Sequence, residues 1–547
     1  MADRDEGLSR RRLLTAGAGI GTVLAVPGLL GRTVKKASAA TSNPHMGMDM
    51  SSHDASDTIG VRPAPFTRGA PLVEPEVRRS IGGELRTTLR LHYAYKDVGG
   101  YRLFLRTYEG GFPGPTLRLR RGDVLRIRLV NDLPPNRDPM PANMSQPHHF
   151  NTTNFHLHGS HVSPSGISDN VMRSMEPGQS YDIEIAIPAD HTAGTYWYHP
   201  HHHGGADIQM ASGMAGAVII EGDFDNVPEI AAARERLLIL GETVFDAFGT
   251  VETFETLFPE SAVRFLTVNG QRSPTITMRP GEVQRWRLLH AGYQDDIFLS
   301  LPGFRLHPIA RDGISLARMD QPEIRTMDHA TDDPTAILIA PGQRIDFLVQ
   351  AGVPGRYEMR ALPYDQGYPS PTGPLAHVVV AGEPLAMTLP ATLPPSPLTS
   401  IRDDEITGRR RLTFSSTAPE VEATEHWQEF KFQIDGRDFD MNRVDQRVRL
   451  GAVEEWTVVN LHQHDHIFHI HTNPFELTKV NGKPLAEPQW LDTAVLPRNG
   501  SLTFRSRFLD YTGRFMLHCH MMNHEEMGMM QVVEVYADRE PQTHVHP

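Results

Sequence analysis

Pro115-Thr116-Leu117-Arg118-Leu119-Arg120-Arg121-Gly122-Asp123-Val124-Leu125-Arg126-Ile127-Arg128-Leu129 decides the architecture. Apolar and charged residues alternate on both sides of Gly122. That two-residue period belongs to strands with one face buried and one in water, and the glycine supplies a turn between them. The segment returns twice. Pro274-Thr275-Ile276 leads to Pro280-Gly281-Glu282-Val283 and then Arg285-Trp286-Arg287-Leu288; Arg447-Val448-Arg449-Leu450-Gly451 leads to Glu454-Glu455-Trp456-Thr457-Val458-Val459-Asn460. The copies lie about 160 residues apart, the length of a whole domain rather than of a solenoid repeat. Long, capped stretches with helical periodicity are few, so the chain is predicted to be all-β, with three β-sandwich domains in series.

Outward from these repeats, boundaries are predicted near Asp223–Pro228 and in the Pro-rich stretch Glu383–Thr399, which reads as an extended linker. This assigns residues 61–224, 225–384 and 401–547 to the three domains and 385–400 to the linker. Upstream, Ser9-Arg10-Arg11-Arg12-Leu13-Leu14 is followed by a Gly/Ala-rich apolar stretch from Thr15 to Leu30 and by small residues at Ala37-Ser38-Ala39. The pattern is that of a twin-arginine signal peptide over residues 1–39, which implies export and a periplasmic or extracellular mature protein. Residues 40–60 are expected to be flexible and contain His45, Met46, Met48, Met50 and His53. Alternating imidazoles and thioethers suit Cu(I), and a tail with a few incidental methionines fits equally well.

Composition narrows the partners. With 39% hydrophobic and 22% charged residues the chain is globular, and no apolar run in the mature part is long enough to span a membrane. A net charge of -13 disfavours nucleic acid, whose phosphates need a basic surface. The chain contains one cysteine beside 28 histidines, so it can form no internal disulfide and that thiol is either inert or chemically engaged.

Its neighbours point to the second. Four motifs concentrate the histidines: His156-Leu157-His158-Gly159; His199-Pro200-His201-His202-His203; His466-Ile467-Phe468-His469-Ile470-His471; and His518-Cys519-His520 with His524 and Met529 following. On a strand, residues i and i+2 face the same way, so His156/His158, His199/His201, His469/His471 and His518/His520 each offer two imidazoles on one side. Eight imidazoles suffice for three copper ions. Cys519 must point to the opposite face, where His466 has the matching parity and His524 and Met529 lie within reach along the loop. Two imidazoles, a thiolate and a weak thioether make a blue-copper electron-transfer site. A single His-x-His pair is weak evidence, and the HPHHHG run alone also fits zinc or a solvated loop. A zinc hydrolase, however, has no use for ten such ligands.

Taken together these motifs resemble the multicopper oxidase family: laccases, ascorbate oxidase and the bacterial cuprous oxidases. The resemblance runs from about residue 60 to 540 and includes Ala340-Pro341-Gly342-Gln343-Arg344 in the middle domain. It implies cupredoxin-like Greek-key sandwiches and four copper ions. By motif, His466, Cys519, His524 and axial Met529 would hold the type 1 copper. His156 and His469 would hold type 2, and His158, His199, His201, His471, His518 and His520 the type 3 pair. The chain departs from the family in having Ile467 where proline usually follows the first histidine of the third motif. His462 and His464 offer other registers, but only His466 has the required spacing to His469 and His471. Asp169 and Glu525 fall at family positions for delivering protons to bound oxygen, a reaction that consumes four of them.

The activity so implied is one-electron oxidation of a small reducing substrate coupled to reduction of O2 to water. A laccase-like oxidase of phenols and aromatic amines is the preferred expectation. A cuprous oxidase is the alternative, favoured by the N-terminal segment and by Met140, Met144, Met172, Met175, Met210 and Met214 in the first domain, although no long Met-rich insertion interrupts the third. A non-catalytic cupredoxin scaffold predicts missing ligands, and none is missing.

Overall fold

The computed structural model describes residues 61–258, 262–321, 333, 335–417 and 427–538; the twin-arginine segment and residues 40–60 lie outside the described residues. Among the described residues six sheets make up the fold, two in each third of the chain. In the first third, one sheet contains Glu84–Val98, Tyr101–Tyr108, Val124–Asn131 and Ser180–Ala186, and the other contains Thr116–Arg120, Gly216–Glu221, Gly194–His199 and His156–His158. Leu89, Leu129 and Ile185 from one and Leu117, Leu157, Tyr198 and Val218 from the other share a single core. A two-residue period puts every second side chain into that space, and burial there is what holds the two layers together.

The thirds repeat one topology. Glu84–Val98 lies parallel to Val124–Asn131, Arg234–Phe245 parallel to Val283–His290, and Gly408–Ser416 parallel to Ala452–Asn460. In the facing sheets, Thr116–Arg120 lies parallel to Gly216–Glu221, Thr275–Met278 to Gly373–Val380, and Gln446–Arg449 to Met530–Tyr536. Parallel neighbours need crossovers, so these sandwiches cannot be simple meanders. The repeated strand–glycine–strand segment is the corner where the chain passes from one sheet to the other, with its two strands in different sheets. Gly122, Gly281 and Gly451 turn that corner with φ of +82°, +80° and +87°, a region that penalises any side chain.

Helices are short and lie between strands: Ala206–Ala211, Pro228–Ala232 and Met522–Glu526. None among the described residues is long and apolar enough to cross a membrane. At the first junction, Phe224 and Ile230 pack with Val283 and Leu348 of the middle sandwich. The Pro-rich stretch runs along the same surface, with Leu393 buried and Met387 and Leu389 against it. The Val283 amide donates to Met387 Sδ at 3.4 Å. This linker is thus fastened to the middle sandwich.

Candidate metal centres

Two strands of the third sandwich position the cysteine. His466–Ile470 runs antiparallel to Gly513–Cys519, with Phe468 opposite Cys519 and His469 opposite His518. Cys519 and His466 therefore project to one face and His469 and His518 to the other, as the strand period requires. The chain then turns through Met522–Glu526, which carries His524, and returns into Met530–Tyr536. The turn is closed by Cys519 N–H donating to the Met529 carbonyl at 3.0 Å and Met529 N–H to that of His524 at 3.0 Å.

On the cysteine face, Sγ lies 3.6 Å from His466 Nδ1 and 3.7 Å from His524 Nδ1, and those two nitrogens are 3.1 Å apart. All three side chains are fully buried, as is Met529. The Ile467 amide donates to Sγ at 3.5 Å. Proline at 467 would delete that donor, so the departure from the family pattern noted above adds a hydrogen bond to the sulfur. Phe432 stacks on His524 with centroids 4.1 Å apart, which fixes the ring plane. Burial pushes the Cys519 thiol up to about 12 and holds His466 well below its ordinary value, with the neighbouring His524 adding to the latter. Both donors are thus kept uncharged until a cation arrives to share their lone pairs.

On the opposite face the eight imidazoles of the first and third sandwiches converge. His158 stacks on His469 and His156 on His471, both with centroids 3.9 Å apart. Facing donor nitrogens are within 4.8 Å of one another in the sets His156/His158/His199, His156/His469/His471 and His201/His471/His518. His520 Nε2 lies 3.2 Å from His158 Nδ1, and His518 Nε2 lies 3.1 Å from His201 Nε2. Trp197 stacks on His199 at 4.3 Å and walls the cluster.

The outer nitrogens show how the rings are aimed. His156 Nδ1 donates to Asp169 at 3.1 Å, His199 Nδ1 to the Pro200 carbonyl at 2.9 Å, and His469 Nδ1 to the Asp492 carbonyl at 2.8 Å. In each ring the other nitrogen, Nε2, is buried without a hydrogen-bond partner. A buried polar atom left unsatisfied is costly, and three converging on one space are accounted for by a shared ligand. Copper fits this donor set: neutral imidazoles with lone pairs inward on one face, and thiolate, two imidazoles and a nearby thioether on the other.

Both proposed carboxylates lie against the rings. Asp169 accepts from His156 and from the Leu157 amide at 2.8 Å. Glu525, fully buried, has one oxygen 2.9 Å from His518 Nδ1 and the other 3.4 Å from His201 Nδ1. Met175, Met210 and Met214 are buried in the hydrophobic cores, whereas Met140 and Met144 are exposed at 53% and 45%. Sequence reasoning missed Asp492 and Thr493, which touch His158 and His469. They follow Gln489-Trp490-Leu491 at the start of the strand Thr493–Leu496, which pairs with His466–Ile470 so that Thr493 lies opposite His469, and no spacing connects them to a histidine motif.

Comparison with known proteins agrees with this geometry. Three family profiles described as multicopper oxidase match residues 143–224, 250–382 and 412–539. A multicopper oxidase of Staphylococcus aureus is 24% identical over 437 residues, covering 78% of this chain and 83% of that protein. A laccase of Bacillus stratosphericus is 25% identical over 496 residues, covering 81% and 92%. A cell division protein of Salmonella typhimurium, FtsP, is 26% identical over 439 residues, covering 77% and 83%. In fold, the chain is similar to a Campylobacter jejuni multicopper oxidase described as a metallo-oxidase. The TM-score is 0.70 at 24% identity, over 89% of this chain and all of that one.

Proposed function

Because this chain belongs to the multicopper oxidase family, we propose that it is a laccase-like enzyme that oxidises phenols or aromatic amines one electron at a time and reduces O2 to water. The observation that carries the reading is the position of Cys519. Its side chain meets His466 and His524, while its backbone neighbours His518 and His520 enter the eight-imidazole cluster. Four copper ions would supply the redox chemistry, one held by His466, Cys519, His524 and Met529, one by His156 and His469, and two by His158, His199, His201, His471, His518 and His520.

The protein's own part is to aim, connect and protonate. Cys519 joins the two centres through a few covalent bonds of a single strand, so no side-chain motion is needed between them. Burial excludes water from both donor sets and keeps their geometry rigid. Glu525, in contact with the rings of His201 and His518, would pass protons toward the cluster, and Asp169 holds His156 through its Nδ1.

The phenol reading is supported by the laccase named among the relatives and by the burial of Met175, Met210 and Met214, which identifies them as core residues. Exposed Met140 and Met144 favour the second reading, a cuprous oxidase. Oxygen uptake by the copper-loaded protein, with a methoxyphenol and chelated Cu(I) as parallel donors, separates the two. Faster turnover with the phenol is the expected result, and faster turnover with Cu(I) would replace it with the second reading. Export by the twin-arginine route is part of the proposal and rests on Ser9 to Ala39. Replacing Arg10 and Arg11 by lysine should leave the uncleaved precursor in the cytoplasm.

A further inference from the structure

The middle sandwich supplies none of the candidate ligands, yet its Ala340-Pro341-Gly342-Gln343-Arg344 turn sits directly on the imidazole cluster. Gly342 has φ +89°, and a Cβ there would lie 3.1 Å from both His158 Cε1 and His520 Cδ2. A glycine lets the turn approach ligands from the first and third sandwiches at once. The next residue, Gln343, donates to the Thr493 carbonyl at 3.1 Å.

Arg344 is fully buried and grips the third sandwich through a two-point contact. Nη1 donates to Asp492 Oδ1 at 2.8 Å and Nη2 to Oδ2 at 2.6 Å. Nη1 also donates to the Gly342 carbonyl at 2.9 Å, and Nε to the Thr195 carbonyl of the first sandwich at 3.1 Å. Asp312, also of the middle sandwich, accepts the Arg344 amide on Oδ1 at 3.0 Å and the Asp492 amide on Oδ2 at 3.2 Å. One guanidinium thus touches all three sandwiches, in the fork geometry that only arginine provides.

The consequence reaches two ligands. Thr493 Oγ1 donates its only proton to Asp492 Oδ1 at 2.7 Å. Its lone pairs can then only accept, and they face His158 Nε2 at 3.2 Å and His469 Nδ1 at 3.1 Å. His469 Nδ1 also donates to the Asp492 carbonyl, and Asp492 Oδ1 lies 3.3 Å from His158 Nε2. Both rings must therefore carry their proton on the nitrogen that faces Thr493. The lone pairs left for a metal are on opposite types of nitrogen, Nδ1 of His158 and Nε2 of His469.

We propose that Arg344, through Asp492 and Thr493, is a positioning residue for the trinuclear centre that locks His158 and His469 in these two tautomers, so that the middle sandwich shapes a site to which it gives no ligand. The proposal rests on the copper reading of the site. Its test compares Arg344→Lys, Thr493→Val and Thr493→Ser with the wild type in the fully copper-loaded protein. Copper content, the type 2 signal in electron paramagnetic resonance, the near-ultraviolet band of the type 3 pair, the blue type 1 absorption and steady-state kinetics are measured for each. In Arg344→Lys and Thr493→Val the type 2 and type 3 signatures should change and kcat fall about 10- to 100-fold. The blue absorption and KM for the reducing substrate should stay as in the wild type, and Thr493→Ser, which keeps the hydroxyl, should restore both signatures. The proposal is overturned if the type 2 and type 3 signatures of the first two variants match the wild type. It is also overturned if Thr493→Ser behaves like Thr493→Val, or if the blue absorption is lost together with the other signals, which would make the network a support of the fold only. Wild-type protein that takes up copper at neither centre would instead overturn the copper reading itself.

Discussion

Cys519 does at the residue scale what the whole chain is arranged to permit. A strand alternates its side chains, so one residue can belong to one centre while both neighbours belong to another, and the peptide bonds between them need no further organisation. The sulfur is buried, receives the Ile467 amide and faces two imidazole nitrogens at 3.6 and 3.7 Å. Cys519→Ser is similar in shape but offers a smaller, hard oxygen in place of a soft thiolate. The expected outcome is loss of the blue absorption and at least a 100-fold loss of turnover, with the far-ultraviolet circular dichroism of the wild type. Turnover near the wild-type level in that variant would show that electrons reach the cluster by some other path.

The element that recurs is the glycine corner, and its three copies are not under equal constraint. A Cβ on Gly122 or Gly451 would meet nothing within 4 Å, whereas one on Gly281 would lie 2.9 Å from the Leu385 carbonyl. Alanine at 122 or 451 therefore costs only backbone strain, about 1 to 2 kcal/mol. At 281 it must also displace the start of the Pro-rich strap, where Leu385 N–H donates to the Pro280 carbonyl at 2.8 Å. Thermal unfolding of the three single variants should rank Gly281→Ala lowest. Equal midpoints for all three would mean that the strap yields freely at this point.

At the scale of the whole molecule, stability also responds to ionisable side chains buried away from water. In the middle sandwich Arg264 pairs with Glu242 at 2.9 Å and with Asp295, all three nearly inaccessible to water. Burial first, and then the neighbouring Asp295, pushes Glu242 up from 4.5 to about 8. The folded chain retains a proton here that the unfolded chain releases near 4.5, so this group makes stability fall as pH rises from 4.5 to about 8. Glu242→Gln removes the titration, and its stability should decline less than that of the wild type between pH 5 and pH 8. Chemical denaturation at those two values measures it, and an unchanged decline would assign the slope to other groups.

The strand period, read from the segments around Gly122, Gly281 and Gly451, was enough to predict an all-β chain of three sandwiches, because one-sided burial writes itself into every second residue. The same period separated the face of Cys519 from that of His518 and His520, since the parity of a side chain on a strand is a local property. What the sequence could not show was which sheet each strand of a repeated segment joins: the two go to different sheets, and strand partners are chosen by long-range packing. Nor did any spacing reveal that Arg344, Asp492 and Thr493, from two sandwiches, meet behind His158 of a third. Local periodicity determines which way a side chain faces, but residues hundreds of positions apart become neighbours only when the sandwiches pack, and that contact decides which nitrogen each imidazole presents.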